Sequence, residues 1–260
     1  MFESHTFWPP HPRLHLVLWP CGGGNALNYP IDTAQLGAAR VAVTRFNPGG
    51  HGKSTGPFSF DATIDGLNAH LSRFPDVPRA AIGHSMGTYG ALRGAPTLGL
   101  EHVLGVAPIP DSRTSVQFMH ANGRIHDFIR LFPVAAEHRP RVVELLADLR
   151  WLDPDHFATI EHELDVPCLA HFSIPSLAGF LREVFMPGYT IWDLPDARPA
   201  RFHILAASED TFYPQDKLRA VALAHEVPVT TIPGATDHLF RHAWPDVWSW
   251  VLRHHPLLQP

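Results

Sequence analysis

Short apolar runs alternate with amphipathic stretches along most of the chain. Each run is rich in Leu or in β-branched residues and is bounded by Gly or Pro, which is typical of buried strands. The predicted strands cover residues 14–19, 39–46, 79–84, 102–107, 201–207 and 227–232. The predicted helices cover residues 26–38, 61–74, 86–95, 215–225 and 243–254. Strand followed by helix, repeated in this way, predicts an α/β fold: a mostly parallel central sheet of about six strands flanked by helices.

Residues 111–200 interrupt this alternation between the fourth and the fifth predicted strand. They show helical periodicity and several prolines, but no convincing strand. We therefore predict a core domain at 1–110 and 201–260 and an inserted helical cap at 111–200, over the carboxyl ends of the strands. Most aromatic residues of the insert are expected to form its own core, and a few to line an apolar pocket. These aromatic residues are Phe118, Phe128, Phe132, Trp151, Phe157, Phe172, Phe180, Phe185, Tyr189 and Trp192.

Charge and hydropathy narrow the class of protein. The 20 Lys and Arg residues against 25 Asp and Glu residues give a net charge of -5, so there is no basic surface of the kind that a nucleic-acid partner requires. No apolar run approaches the roughly 18 residues that span a bilayer, and the first residues do not resemble a signal peptide. A cytoplasmic protein without a membrane partner is expected.

Histidine is abundant and cysteine is rare in this chain. The chain has 19 histidines, but it contains no HExxH motif, and Cys21 and Cys168 are far apart. No metal site and no cofactor are expected. Two cysteines do not suggest a disulfide scaffold, although their number allows one disulfide bond.

A GxSxG motif stands at Gly83–Gly87, between a predicted strand and a predicted helix. This context places Ser85 on a sharp turn, and the flanking glycines leave room for a strained backbone and for close contact between helix and strand. The turn also directs the Met86 amide, at the helix N-terminus, toward the space in front of the hydroxyl. Ser85 is therefore the candidate nucleophile.

Segments around this motif resemble those of the α/β-hydrolase family, and the resemblance covers most of the chain outside the insert. The first strand ends in WPCGGG (19–24), where family members carry a histidine-glycine turn that supplies an oxyanion amide. NPGGHGKS (47–54) is similar to the family's glycine-rich loop, with Asn47 where aspartate is usual. LVLWPCGGG, in which Pro20 replaces the usual histidine, and GHSMG are most similar to type II thioesterases.

Two features depart from that pattern. The insert is longer than the cap of those thioesterases, and only about a dozen residues precede the first strong strand, so the family's leading hairpin is expected to be missing or shortened. The resemblance otherwise implies the α/β-hydrolase fold and a hydrolase that needs neither metal nor organic cofactor.

The family order of catalytic residues is serine, acid, histidine. The resemblance implies Asp210 as the acid, in ASEDTFYP after the fifth predicted strand, and His238 as the base, in PGATDHLF after the sixth. Glu209 is a neighbouring alternative for the acid, and Asp111 is an alternative beyond the fourth strand. A base is required because a serine hydroxyl is a poor nucleophile at neutral pH.

The oxyanion hole is expected to combine two backbone amides. One is that of Met86, and the other is that of Gly22, which follows the turn dipeptide Pro20-Cys21; Cys21 is the alternative, because a slip of one residue stays open. Two such donors stabilise a tetrahedral intermediate.

The expected function is a serine hydrolase that cleaves an ester or thioester of a largely apolar small molecule through an acyl-enzyme on Ser85. If the thioesterase resemblance extends to the substrate, an acyl carrier protein is the partner. Epoxide hydrolases and haloalkane dehalogenases carry an aspartate in place of Ser85, which argues against both. An acyltransferase or cyclase, a carbon-carbon bond hydrolase, a cofactor-free haloperoxidase and a non-catalytic ligand-binding homologue stay open, as does the oligomeric state.

Overall fold

The computed structural model describes residues 1–125, 174–185, 188–198 and 200–259, and positions 137, 140, 144, 148, 150 and 155. The strands are β1 (Glu3–Phe7), β2 (Leu14–Trp19), β3 (Val41–Asn47), β4 (Arg79–His84), β5 (Leu100–Val106), β6 (Phe202–Ala206) and β7 (Val229–Thr231). In these residues they form one seven-stranded sheet in the order β1-β3-β2-β4-β5-β6-β7. β1 pairs antiparallel with β3, and all other neighbours are parallel.

Helices cover both faces of this sheet. The described α-helices are α1 (Thr33–Ala38), α2 (Phe60–Leu71), α3 (Gly87–Leu98), α4 (Ser112–Ala121), α5 (Ile174–Phe185), α6 (Gln215–Ala224) and α7 (Trp244–His254). Side chains of β2 alternate between two apolar clusters, as the period of a strand requires. Leu14, Leu16 and Leu18 lie in the cluster shared with α1 and α7. Val17 and Trp19 lie in the cluster shared with α2, α3 and α6.

The predicted α/β fold is confirmed, with two local differences. The sheet has one strand more than the pattern indicated, because β1 (ESHTF) is a half-buried edge strand with little apolar character. The predicted helix at 26–38 is instead a 3-10 turn at Ala26–Asn28 followed by α1. Pro30 holds Tyr29 in an extended conformation, and Asp32 then starts the second segment by accepting hydrogen bonds from the Ala34 and Gln35 amides.

Two described helices belong to the predicted insert, and both contact the core. α4 follows β5 directly and is capped by Asp111, whose side chain accepts a hydrogen bond from the Thr114 amide. In α5, Phe180, Leu181 and Val184 are buried in the same cluster as α2 and α3. Much of 126–173 lies outside the described residues, so the separate cap domain at 111–200 stays a prediction.

Candidate active site

A tight turn between β4 and α3 presents Ser85. Its φ of 57° lies in the left-handed region, which residues other than glycine rarely adopt. The glycines on either side permit the close packing that this turn requires. A Cβ on Gly83 would lie 2.5 Å from the Thr88 Cα, and one on Gly87 would lie 2.5 Å from the Pro20 carbonyl oxygen. The sequence-based interpretation of this motif as a strained turn is confirmed.

The structure brings Ser85, His238 and Asp210 together. Nε2 of His238 lies 2.8 Å from the Ser85 Oγ, and Nδ1 lies 2.9 and 3.0 Å from the two Asp210 carboxylate oxygens. All three residues are buried. An ionised carboxylate only accepts, so Nδ1 carries the proton, and Nε2 is free to accept from the serine hydroxyl. This is the arrangement that a general base needs.

The Asp210 carboxylate is held from a second direction. Its Oδ1 accepts hydrogen bonds from the amides of Phe212 at 2.7 Å and Tyr213 at 3.2 Å. The Phe212 ring also stacks on the imidazole of His238, with centroids 4.2 Å apart and planes 14° apart. Acid and base are therefore oriented by the same short loop after β6.

Neither alternative acid is hydrogen-bonded to His238. Glu209 is exposed. Asp111 caps α4 with one carboxylate oxygen, and the other accepts a hydrogen bond of 2.7 Å from the Tyr213 hydroxyl. Of the three acids considered from the sequence, Asp210 is the one placed to orient the base.

The loop after β2 separates the two candidates for the second oxyanion donor. The Cys21 amide donates to the Tyr29 hydroxyl at 3.0 Å, the Gly23 amide to Nε2 of His51 at 3.0 Å, and the Gly24 amide to the Cys21 carbonyl at 3.0 Å. The Cys21 amide therefore already has an acceptor within the protein, which favours Gly22 as the second donor; that assignment stays a prediction. Among the described hydrogen bonds, the amide of Gly22 is the one in 21–24 without an acceptor.

His51 fixes this loop from the glycine-rich segment. Nδ1 of the ring lies 3.2 Å from the Gly49 carbonyl, so Nδ1 donates and Nε2 accepts from Gly23. Burial lowers the pKa of His51 to about 4, which keeps the ring neutral at pH 7. A protonated ring could not accept from Gly23.

An aromatic residue of the insert lies directly above Gly22. A Cβ at Gly22 would be 2.8 Å from the Phe180 Cζ and 3.1 Å from the Met86 Sδ. Phe180 is buried and packs on Phe58, with ring centroids 5.1 Å apart. The surroundings of the two expected oxyanion amides are therefore apolar.

The other predicted cap aromatics divide into two groups. Tyr189 stacks on Tyr89 at 4.2 Å, Trp192 stacks on His225 at 4.5 Å, and Phe118 is half-buried on α4. The side chains that lie outside the described residues are those of Phe128, Phe132, Trp151, Phe157, Phe172 and Phe185. Their predicted positions stay predictions.

Cysteines, metal ligands and membrane segments add little to the site. Cys21 is a buried free thiol, and burial raises its pKa, which disfavours the thiolate; Cys168 lies outside the described residues. In the described ranges, no three His, Cys, Asp or Glu side chains stand where they could hold a metal ion together. None of the described helices has the length and apolar character needed to cross a bilayer.

Solved structures with similar folds come from several kinds of hydrolase. The type II thioesterase BorB from the borrelidin biosynthetic cluster is 20% identical, with a TM-score of 0.58 over 96% of this chain and 95% of that one. The enol-lactonase from Burkholderia xenovorans is 16% identical, with a TM-score of 0.61 over 97% and 95%. The monoacylglycerol lipase from Paleococcus ferrophilus is 16% identical, with a TM-score of 0.58 over 99% and 98%. Identities this low show a shared fold, not a shared substrate.

Family membership rests on the sequence itself. A comparison with curated proteins gave no match. The family described as "Alpha/beta hydrolase family" does match, over residues 16–251. That range includes every strand from β3 to β7, the turn at Ser85 and the loops of Asp210 and His238. Because the match covers most of its length, the chain belongs to the alpha/beta hydrolase family.

Proposed function

We propose that this protein is a serine hydrolase that cleaves a carboxylic ester or thioester of a largely apolar small molecule through an acyl-enzyme on Ser85. The observation that carries the proposal is the continuous hydrogen-bonded sequence from the Ser85 hydroxyl through His238 to Asp210, on a turn with a positive φ. Family membership supports the hydrolase class.

Acylation begins when His238 Nε2 takes the Ser85 proton and the Oγ attacks the substrate carbonyl carbon. The carbonyl π electrons move to the oxygen, and the amides of Met86 and Gly22 stabilise the resulting oxyanion. Asp210 stabilises the imidazolium. His238 then gives its proton to the departing alcohol or thiol, the carbon-oxygen or carbon-sulfur bond breaks, and the acyl group stays on Ser85.

Deacylation repeats these steps with water as the nucleophile. His238 takes a proton from water, the hydroxide attacks the acyl carbon, and collapse of the second oxyanion releases the acid. The proton on His238 returns to the Ser85 oxygen. No step calls for a metal or an organic cofactor.

An apolar acyl group is supported by the side chains around the expected oxyanion amides. Met86 and Phe180 lie against Gly22, and Phe212 covers one face of His238. In this proposal the insert at 111–200 is a cap, and Phe180 is the part of it that covers the acyl site. The cytoplasm is the proposed location.

A thioester is the second candidate substrate class, with an acyl carrier protein as donor. It is favoured by the resemblance of LVLWPCGGG, in which Pro20 replaces the usual histidine, and of GHSMG to type II thioesterases. The fold shared with the thioesterase BorB is compatible with it.

Labelling with a fluorophosphonate tests the nucleophile. We expect wild type to be labelled, Ser85→Ala not to be labelled, and the exposed control Ser72→Ala to be labelled like wild type. Turnover of short and medium acyl p-nitrophenyl esters and of acyl thioesters should fall by about 10⁴-fold or more in Ser85→Ala, because the nucleophile is lost. Labelling that persists in Ser85→Ala would show that another residue reacts. A folded wild type that resists labelling would favour the ligand-binding homologue.

A further inference from the structure

Three segments of the site are joined by a continuous series of buried hydrogen bonds, here called the relay. The Cys21 amide lies 3.0 Å from the Tyr29 hydroxyl, the hydroxyl lies 2.6 Å from Nδ1 of His84, and Nε2 of His84 lies 2.9 Å from the His238 backbone carbonyl. All four residues are buried. None of the steps described under the proposed function uses Tyr29 or His84.

The direction of every hydrogen bond in the relay follows from its two ends. A carbonyl can only accept, so Nε2 of His84 carries a proton, and an amide can only donate, so the Tyr29 oxygen accepts from Cys21. Burial lowers the pKa of His84 to about 3, and the neutral ring leaves Nδ1 as an acceptor for the Tyr29 hydroxyl proton. Each group thus has one possible orientation, and successive bonds polarise one another.

The relay ends beside the reacting groups. Cys21 precedes Gly22, whose amide is the expected second oxyanion donor, and His84 precedes Ser85. The third contact is on the backbone of the base itself, His238. A displacement at either end would therefore move a reacting group.

Packing around Tyr29 holds the relay in place. Its ring contacts Trp244 edge to face, with centroids 4.7 Å apart. Its carbonyl and that of Leu27 accept from the Arg45 guanidinium at 3.3 and 2.9 Å. A phenylalanine at position 29 would keep the ring contacts and lose the hydrogen bonds of the hydroxyl.

We propose that Tyr29 and His84 are positioning residues, and that their relay couples the oxyanion loop at 21–24 to the loop that carries His238. The proposal rests on the proposed function, because coupling these loops matters for catalysis only if Ser85 reacts. It predicts that the two residues affect the rate of the chemical step, and not the binding of substrate.

Tyr29→Phe is the first test, with Tyr189→Phe as its matched control. Both tyrosines are buried, but among the described residues the Tyr189 hydroxyl has no hydrogen-bond partner. We expect Tyr29→Phe to lower kcat for a p-nitrophenyl ester by about 10- to 100-fold, with KM within about twofold of wild type. Tyr189→Phe should match wild type. A wild-type kcat in folded Tyr29→Phe would overturn the proposal, as would a loss confined to KM.

A proton NMR measurement separates the relay from the proposed function. The His238 Nδ1 proton, hydrogen-bonded to Asp210, should give a strongly downfield resonance, and Tyr29→Phe should shift or broaden it while Tyr189→Phe leaves it unchanged. If wild type fails to react with fluorophosphonate but the shift is seen, the proposed function fails and the coupling stands. If wild type reacts and Tyr29→Phe changes neither kcat nor the resonance, the coupling fails alone.

Two substitutions of His84 each remove one of its two hydrogen bonds. They test the proposal independently if Tyr29→Phe does not fold. The amide oxygen of Asn can occupy the place of Nδ1, and the amide nitrogen of Gln the place of Nε2. His84→Asn should keep the hydrogen bond to Tyr29 and lose the one to His238, so the Nδ1 resonance shifts. His84→Gln should keep the bond to His238 and lose the one to Tyr29, so the resonance should shift about as much as in Tyr29→Phe and less than in His84→Asn, while kcat still falls. Equal behaviour of both variants with wild-type kcat would overturn the proposal.

Discussion

Buried histidines stand at both ends of the parallel strands, and the two groups are bonded differently. The group at the carboxyl ends comprises His51, His84 and His238, and each has partners at both ring nitrogens. The group at the amino ends comprises His15, His102 and His255. Each of these has one ring nitrogen that is buried without a partner among the described residues.

Two partners fix the tautomer and the ring orientation of a histidine, whereas ring packing alone fixes neither. His15 packs between Trp8 and Phe74, and His102 packs edge to face on His255, with centroids 4.8 Å apart. His15 Nε2 also bonds to the Thr44 hydroxyl at 2.7 Å, and His255 Nδ1 accepts from the Leu257 amide at 3.3 Å, so what these rings lack is a partner at the second nitrogen. At the carboxyl ends a defined tautomer is required, because a nitrogen there must accept a particular proton.

The largest expected contrast between the two groups is in activity. His238→Gln should lower kcat/KM by about 10⁴-fold, because the amide cannot take the Ser85 proton. His102→Gln should leave the kcat/KM of the folded protein within about twofold of wild type, since the residue lies at the opposite end of the sheet. Ester hydrolysis, corrected for the folded fraction by circular dichroism, checks both. Similar losses of kcat/KM in the two variants would contradict a catalytic difference between the two groups of histidines.

Acid should destabilise the fold through both groups. Burial lowers the pKa of His15, His51 and His102 to about 4 and that of His84 and His255 to about 3. Below pH 6.5 the unfolded chain binds protons that the folded chain does not, so stability present at neutral pH is lost as the pH falls toward the folded-state pKa values. Each histidine lowers the free energy of unfolding by at most about 1.4 kcal/mol per pH unit.

Because these losses act in the same direction, we expect the free energy of unfolding to fall steadily as the pH drops below 6.5. Urea unfolding at pH 7.5, 6.5 and 5.5 measures the slope. His102→Phe should make the slope shallower, because one group no longer binds a proton on unfolding. A free energy of unfolding that does not change between pH 7.5 and 5.5 would contradict the neutral, buried state of these rings.

Substitutions of His51 test whether the hydrogen bond from the Gly23 amide to its ring holds the loop at 21–24 in place. His51→Leu should lower kcat by about 10-fold, because the Gly23 amide loses its acceptor and the adjacent Gly22 is less well fixed. His51→Gln should recover most of that loss, since its amide oxygen can accept the same hydrogen bond. Steady-state kinetics at pH 7.5 distinguish the two variants. Equal kcat values for Leu and Gln would show that ring volume, not the hydrogen bond, is what matters.

Sequence patterns could predict the strands and the residues that local motifs carry. β2 and β4 have the predicted bounds, because both are continuous apolar runs ended by Pro or by the Ser85 turn. The triad candidates Ser85, Asp210 and His238 follow strand ends in the family order, and parallel strands bring those ends to one edge. The catalytic role of these residues stays a prediction that the labelling experiment tests.

The parts that the sequence did not reveal depend on contacts between distant segments. The Tyr29 hydroxyl accepts from the Cys21 amide and thereby favours Gly22 as the candidate oxyanion donor, but a tyrosine in that segment looks like any core aromatic. Phe212 is likewise indistinguishable from an ordinary loop residue until it stacks on His238. β1 was missed because an edge strand need not show a strong apolar pattern.

The smallest expected effect is that of an apolar ring at the amino ends. In His102→Phe the buried nitrogen without a partner is removed, so the free energy of unfolding at pH 7.5 should change by less than about 1 kcal/mol, in either direction. The matched change His84→Phe leaves the proton of the Tyr29 hydroxyl without its acceptor and the His238 carbonyl without its donor, and it should cost about 2 kcal/mol or more. Urea unfolding of both variants compares the costs. Equal costs would contradict the difference between the two groups, because the loss of two hydrogen bonds at His84 should destabilise the fold more than the loss of an unbonded nitrogen at His102.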